Sequence, residues 1–215
     1  EPFAVLPFPE AYKIGDVYSM IVYGLDIRDF EYAYRVDGPW DPEKGLLFDK
    51  KNILLDPYAK AVSGQRTWGT HWDPTYHARV VKDSFNWGDM PQSKKELCDL
   101  IIYELHVRGF TVHESSGVQN RGTFAGLMEK IPYLRELGIN AVELMPIFEF
   151  DETMNAREIN GERLLEYWGY NTVSFFAPNT SFTSVNEYNR EGTELKTLIK
   201  ALHDNGIEVI LDVVF

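Results

Sequence analysis

The sequence has 215 residues, of which 44% are hydrophobic and 25% charged, a balance typical of globular proteins that excludes wholesale disorder. The 21 Lys and Arg against 33 Asp and Glu give a net charge of −12, which disfavours nucleic acid or an anionic membrane surface as a partner. A single cysteine, Cys98, excludes an intramolecular disulfide, and no apolar run approaches the ~20 residues of a membrane span.

The first half of the sequence predicts β-structure. Residues 30–36 place aromatic or aliphatic side chains at every second position from Phe30 to Val36 and the charged Glu31 and Arg35 on the other face, which is typical of a strand with one buried face. Residues 17–23, 53–55 and 77–81 predict further short strands, and turn-forming sequences such as 37–39 (DGP) separate them. Strands and turns at this spacing favour a small antiparallel β-sandwich.

The second half predicts alternating strands and helices. Residues 100–107 form a nearly continuous apolar run, as expected of a strand buried on both faces. A helical pattern follows from Thr123, a suitable N-cap, to Leu137, with a break at Pro132 and a stop at Gly138. A strand at 139–146, a helix at 193–205 and a strand at 207–214 complete the pattern. This order predicts a parallel α/β domain, either the start of a (β/α)8 barrel or part of an open doubly wound sheet.

Polar, turn-prone residues at 82–99 predict a linker, so we place the domain boundary between residues 90 and 91. A (β/α)8 barrel needs about 250 residues, more than the second half contains, so we expect the sequence to be part of a longer chain. No signal peptide is visible, which predicts a cytoplasmic protein, or a plastid protein in a plant. The sequence begins with Glu1 and not with Met, so we expect the N-terminus of the protein to lie upstream of Glu1.

Several segments resemble α-amylase superfamily enzymes of the isoamylase and glycogen debranching type. The segments from the barrel of that family are 102–111 (IYELHVRGFT), 138–146 (GINAVELMP), 168–172 (WGYNT), 175–178 (FFAP) and 206–215 (GIEVILDVVF). Upstream, 32–39 (YAYRVDGP) and 54–60 (LLDPYAK) resemble the N-terminal, immunoglobulin-like β-sandwich module of these enzymes. The resemblance implies a sandwich over residues 1–90, followed over 91–215 by the first three strands of a (β/α)8 TIM barrel.

The resemblance also implies an activity, the hydrolysis of α-1,6 branch points in glycogen or starch with retention of configuration. Retaining glycosidases use a nucleophilic carboxylate and an acid/base carboxylate about 5–5.5 Å apart. In this superfamily the nucleophile Asp, the acid/base Glu and a further Asp follow the fourth, fifth and seventh strands, which would lie after residue 215. We therefore expect no catalytic carboxylate within the sequence, and no activity from residues 1–215 alone.

Four residues are candidates for binding the branched α-glucan. Asp212 interrupts an apolar strand near its carboxyl end, where a carboxylate must be paired and where barrel active sites lie. By resemblance it organises the active site and is not the nucleophile. Tyr170 follows Gly169, which leaves room for its ring in a cleft, and by resemblance it is a sugar platform beside Trp168 and Asn171.

The sequence predicts neither a metal site nor a cofactor. The five histidines show no metal-ligand spacing, and there is no glycine-rich phosphate loop. Glu149, Asp151 and Glu152 follow the second parallel strand, and a solvated acidic loop is the default expectation for them.

Two functional alternatives stay open at this point. The first is another enzyme of the superfamily, such as a branching enzyme, a pullulanase or a transferase. The second is a non-catalytic glucan-binding or regulatory homologue. The residues that would separate these alternatives, the carboxylates expected after residue 215, are not in the sequence.

Overall fold

The computed structural model of the protein describes residues 2–70, 72, 75–89, 95–154 and 156–215. The first half contains short strands that pair in antiparallel fashion. They are β1 (Lys13–Ile14) with β2 (Val17–Tyr18), β3 (Glu31–Tyr32) with β6 (Ala78–Arg79), and β4 (Trp40–Asp41) with β5 (Leu46–Leu47). The predicted shared face of Phe30, Tyr32 and Tyr34 is confirmed, because the Tyr32 ring contacts the rings of Phe30 and Tyr34. The prediction that this face is buried is wrong at its far end, since Tyr34 is 41% and Val36 40% exposed.

These strands are much shorter than predicted. The apolar run at 17–23 contributes only β2 to a sheet, and Tyr23 at its end is 85% exposed. Among the described residues of this half, each sheet has two strands, so the predicted β-sandwich stays a prediction. Alternation along one strand fixes which side chains share a face, but sheet formation depends on the cross-strand partners.

The second half contains alternating helices and strands. They are β7 (Ile102–Leu105), α1 (Val107–Thr111), α2 (Phe124–Met128), α3 (Ile131–Leu137), β8 (Ala141–Leu144), β9 (Phe148–Phe150), β10 (Arg157–Ile159), β11 (Glu162–Leu164), β12 (Thr172–Pro178), α4 (Arg190–Asp204) and β13 (Glu208–Leu211). Strands β7, β8 and β13 form a parallel sheet with β8 in the centre, and Ile102, Ala141 and Glu208 are level with one another. The predicted strand–helix–strand–helix–strand order is confirmed.

The core lies on the helix-covered face of this sheet. Val142 and Leu144 of the central strand are buried there with Leu134 of α3 and Leu198 and Leu202 of α4. The helix ends follow from local sequence signals. The Thr123 hydroxyl accepts a hydrogen bond from the Gly126 N–H at the start of α2, as predicted for an N-cap. Pro132 stands at the start of α3, and Gly138 ends it in a left-handed conformation with φ 83°.

Two expectations about the first parallel strand are wrong. The strand ends at Leu105, because the His106 ring nitrogen accepts a hydrogen bond from the Gly109 N–H and starts α1 at Val107. The strand is not buried on both faces either, since Ile102 is 43% exposed and Glu104, two residues on, is exposed as well. In the described sheet β7 is an edge strand. An apolar run alone does not distinguish an edge strand from a central one.

Contacts cross the predicted domain boundary, although the boundary itself, between residues 90 and 91, lies outside the described residues. A small apolar cluster joins Ala59, Val62 and Ala78 to Ala177 of β12. The Asn189 amide donates to the Val80 carbonyl oxygen, and the Arg79 guanidinium lies over the Tyr188 ring. In the part of the chain that the structure describes, no helix has the length and apolar character needed to cross a bilayer.

Candidate functional site

The carboxyl ends of the three parallel strands bring three side chains to one edge of the sheet. His106, Met145 and Asp212 each follow the last residue of a strand, and those last residues are level in the register. The hydrogen bonding between the strands continues one residue further. The Met145 N–H donates to the Leu105 carbonyl, and the Asp212 N–H donates to the Leu144 carbonyl. This edge is where α/β proteins build their sites, because the strand ends and their loops converge there.

Tyr170 and Asp212 form the central pair of the site. The Tyr170 hydroxyl donates a short hydrogen bond to a carboxylate oxygen of Asp212. This hydrogen bond raises the pKa of Tyr170 to about 12, with smaller contributions from desolvation and from the negative charges of Asp212, Glu104 and Glu143. Tyr170 therefore stays protonated and continues to donate to Asp212, which fixes the ring, while 36% of the residue remains accessible.

Trp168 lies beside this pair. Its ring meets the Tyr170 ring edge-on, with centroids 6.4 Å apart, and it is 61% exposed. Gly169 between them has φ +86°, and a Cβ at this position would lie 2.8 Å from a Phe150 ring carbon. Only glycine therefore allows the chain to turn here against β9 and present two aromatic rings on neighbouring positions.

Asn171 makes a different contact from the other three predicted residues. Its side-chain amide donates to the sulfur of Met154, in the loop that follows β9. The structure thus brings Trp168, Tyr170 and Asp212 together and uses Asn171 to attach the neighbouring loop to this site.

His106, one of the five histidines without metal-ligand spacing, is a positioning residue in the structure. Its Nδ1 accepts from the Gly109 N–H, so its Nε2, 2.7 Å from the Tyr167 carbonyl oxygen, carries the proton and donates. Burial lowers the pKa of His106, in keeping with a neutral ring. The imidazole also stacks on the Tyr167 ring at 4.3 Å, which holds the chain immediately before Trp168.

Trp68, from the first half of the chain, inserts into the aromatic core below this segment. Its indole stacks on Phe182 at 6.2 Å and meets Phe150 and Tyr167 edge-on at 5.7 and 6.1 Å. The Arg108 guanidinium lies 5.0 Å from the Trp68 ring centroid. A single tryptophan thus contacts several segments that support the site, and no local pattern in the sequence marks it.

The prediction of a solvated acidic loop is wrong for Glu149 and Glu152, which are both 0% exposed. Glu149 accepts hydrogen bonds from the Thr180 N–H at 2.6 Å and the Gln65 N–H at 3.3 Å. Glu152 accepts from the Gly69 N–H at 2.8 Å. The two carboxyl groups therefore bind the backbone of residues 65–69 and hold Trp68 in place.

Burial governs the ionisation of these two carboxyl groups. It raises the pKa of Glu149 to about 8, and it raises the pKa of Glu152 as well. Across residues 2–70, 72, 75–89, 95–154 and 156–215, no group of three or more His, Cys, Asp or Glu side chains is arranged to hold a metal ion. Their hydrogen bonds to the Gln65 and Gly69 N–H groups make the two buried carboxyl groups structural clamps for the first-half segment.

Comparisons with known proteins agree with this architecture. The family described as "Alpha amylase, catalytic domain" matches residues 80–215. The chain is 44% identical over 214 residues to "Isoamylase 3, chloroplastic" of Oryza sativa subsp. japonica, covering 94% of this chain and 27% of that protein. It is 35% identical over 216 residues to "Glycogen debranching enzyme" of Salmonella paratyphi B, covering 93% of this chain and 32% of the relative.

Solved structures show the same similarity. Pullulanase type I from Bacillus subtilis, complexed with maltose, is 30% identical with a TM-score of 0.59, covering 77% of this chain and 24% of its own. The catalytic module of the pneumococcal glycogen-degrading virulence factor SpuA, at 24% identity, shares the fold over 92% of this chain and 29% of its own with a TM-score of 0.64. The chain thus spans about a quarter to a third of the length of these proteins.

Proposed function

The chain belongs to the α-amylase family and resembles its isoamylases and glycogen debranching enzymes, and we propose that the protein hydrolyses α-1,6 branch points of glycogen or starch with retention of configuration. The observation that carries the proposal is the Tyr170–Asp212 pair beside Trp168, at the carboxyl edge of the parallel strands. An exposed aromatic face held by a carboxylate suits a neutral sugar ring, because the ring presents C–H groups to the aromatic face.

The residues of this chain would bind and orient the glucan. Tyr170 would stack on the glucose unit whose linkage is cleaved, and Asp212 would fix the tyrosine ring through its hydroxyl. Trp168 would extend the aromatic surface, and Asn171 would keep the adjacent loop in place. Orientation matters for this reaction because the transition state is a distorted sugar ring. The nucleophile and the acid/base carboxylate are expected after the fourth and fifth strands, outside residues 1–215.

The finer points of the architecture are part of the same proposal. Strands β7, β8 and β13 would be the first three strands of a (β/α)8 barrel, with α2, α3 and α4 on its outer surface. Residues 1–90 would form the β-sandwich module, which braces the barrel through residues 65–69. Rice isoamylase 3 and the Arabidopsis thaliana relative, "Isoamylase 1, chloroplastic", are named as chloroplastic proteins, and for this chain a cytoplasmic or plastid location stays a prediction.

The test is an activity assay on the full-length gene product that carries this sequence. We expect it to release linear malto-oligosaccharides from glycogen and amylopectin, with new reducing ends in the α configuration by NMR. Amylose, which has only α-1,4 linkages, is the control substrate and should stay intact. Cleavage of amylose would point to another hydrolase of the family, and new branches would point to a branching enzyme. Binding of glycogen with no product would indicate a regulatory homologue.

A further inference from the structure

A second surface feature lies beside the proposed cleft. It is a groove of about 390 Å³ lined by Trp72, Thr153, Ala156, Glu158 and Arg163. Neither the resemblance nor the proposed reaction assigns a role to these residues. Three parts of the chain line the groove: Trp72, the loop after β9, and the hairpin formed by β10 and β11.

The groove combines an aromatic face with one cation and one anion. Glu158 and Arg163 stand opposite each other on the antiparallel strands β10 and β11. The Arg163 guanidinium lies 4.4 Å from the centroid of the Trp72 ring, which holds the indole by a cation–π contact. Trp72 is 41% exposed, so part of the indole remains accessible. The groove therefore offers an apolar surface, hydrogen-bond donors and acceptors, and a balanced charge.

Residues 151–154, which contribute Thr153 to one wall of the groove, are held by hydrogen bonds and contact the proposed cleft. The Asp151 carboxylate accepts hydrogen bonds from the Thr153 N–H at 2.8 Å, the Thr153 hydroxyl at 2.6 Å and the Met154 N–H at 3.2 Å. Met154 in turn accepts from Asn171, the residue next to Tyr170. The groove and the proposed glucan platform are therefore connected through the hydrogen bonds of residues 151–154.

We propose that this groove is an outer subsite, which binds glucose units of the α-glucan at a distance from the unit held by Tyr170. The inference rests on the proposed function for its substrate class. The opposite charges of Glu158 and Arg163 suit a neutral, hydroxyl-rich ligand, since a phosphate would meet the carboxylate and a cation would meet the guanidinium. Sugar hydroxyl groups can accept from Arg163 and donate to Glu158, while the C–H face of the ring covers Trp72.

The test compares variants of the full-length protein on two substrates. Trp72→Ala should raise KM for amylopectin, which has long outer chains, roughly 10-fold with kcat unchanged, as loss of one aromatic platform implies. KM for a dextrin with maltosyl branches should not change, because a maltosyl branch is too short to reach the groove. Trp72→Phe retains an aromatic face and should stay within about 3-fold of the wild type. Trp40→Ala, at an exposed tryptophan outside the groove, is the matched control. It should leave KM unchanged for both amylopectin and the dextrin.

Direct binding separates failure of this inference from failure of the proposed function. Calorimetric titration with maltohexaose should show weaker binding to Trp72→Ala than to Trp40→Ala, whether or not the protein cleaves α-1,6 linkages. Equal maltohexaose binding and equal KM in both variants, at unchanged melting temperature, would overturn the subsite. If Trp72→Ala does not fold, Arg163→Gln, a variant on the exposed hairpin, is titrated with maltohexaose instead. It should weaken maltohexaose binding severalfold, and wild-type binding would overturn the proposal.

Discussion

Replacing Gly64 with alanine should destabilise the protein at the point where its first half joins the second. An alanine Cβ at this position would lie 2.2 Å from Oε1 of Glu149 and 2.3 Å from Oγ1 of Thr180. Both distances are far below any normal contact, and both groups are buried. Glu149 cannot simply rotate away, because its carboxyl group accepts hydrogen bonds from the backbone of Thr180 and Gln65.

The expected cost combines two effects. Inserting a methyl group into a well-packed interior costs about 1–3 kcal/mol. Displacing Glu149 from its backbone donors leaves buried polar groups unsatisfied, which costs a further ~1–3 kcal/mol. The free energy of unfolding should therefore fall by about 2–6 kcal/mol in Gly64→Ala, which is a large part of the stability of a typical domain.

Urea-induced unfolding of the full-length protein measures this difference, provided that the transition is followed by two probes that agree. Gly192→Ala in α4 is the matched control, since a Cβ at Gly192 would meet nothing within 4 Å. That variant should be neutral or gain up to about 1 kcal/mol from the higher helix propensity of alanine. If Gly64→Ala unfolds within 0.5 kcal/mol of the wild type, a threshold set by ordinary surface substitutions, the clamp at Glu149 does not exist as described.

Three further predictions concern pH, binding and capping. Because burial raises the pKa of Glu149 from 4.5 to about 8, the folded state retains a proton that the unfolded state releases. The stability from this group is present below pH 4.5 and is lost as pH rises through about 8, and the loss is on the order of 5 kcal/mol. In Glu149→Gln the free energy of unfolding should depend less steeply on pH. Tyr170→Ala should lower kcat/KM on branched glucan about 30-fold, and Tyr170→Phe, which loses only the hydrogen bond to Asp212, about 5-fold. Equal kinetics for the two variants would contradict stacking. Thr123→Ala should cost about 1 kcal/mol of stability through loss of the helix cap, whereas Thr123→Ser should unfold like the wild type.

Local signals made the second half of the fold predictable. Helix periodicity, the cap at Thr123 and the left-handed Gly138 are all determined within a few residues, and the structure confirms them. The sequence does not predict α1, because a histidine side chain serves as its N-cap and this is an uncommon choice. The predicted strands of the first half are longer than the observed ones, because alternation does not show whether a partner strand is available.

The candidate site was predictable only in part. Trp168, Tyr170 and Asp212 were found through family resemblance, and the structure brings them together. The burial of Glu149 could not be predicted, because one of its donors, Gln65, lies 84 residues away in the sequence. The same holds for Trp68, whose surroundings are supplied by α1, β9 and the segment around Phe182.

The separation in sequence between the clamp and its target has a consequence for synthesis on the ribosome. The hydrogen bond from the Arg66 N–H to the Thr180 hydroxyl joins residues that are 114 positions apart. At ~5–20 residues per second, the nascent chain needs roughly 6–23 s to extend from one to the other. Throughout that interval Phe182, on which the Trp68 ring stacks, has not been synthesised, and the Arg66 N–H lacks its acceptor. Residues 66–68 therefore cannot complete their contacts until synthesis has passed Phe182.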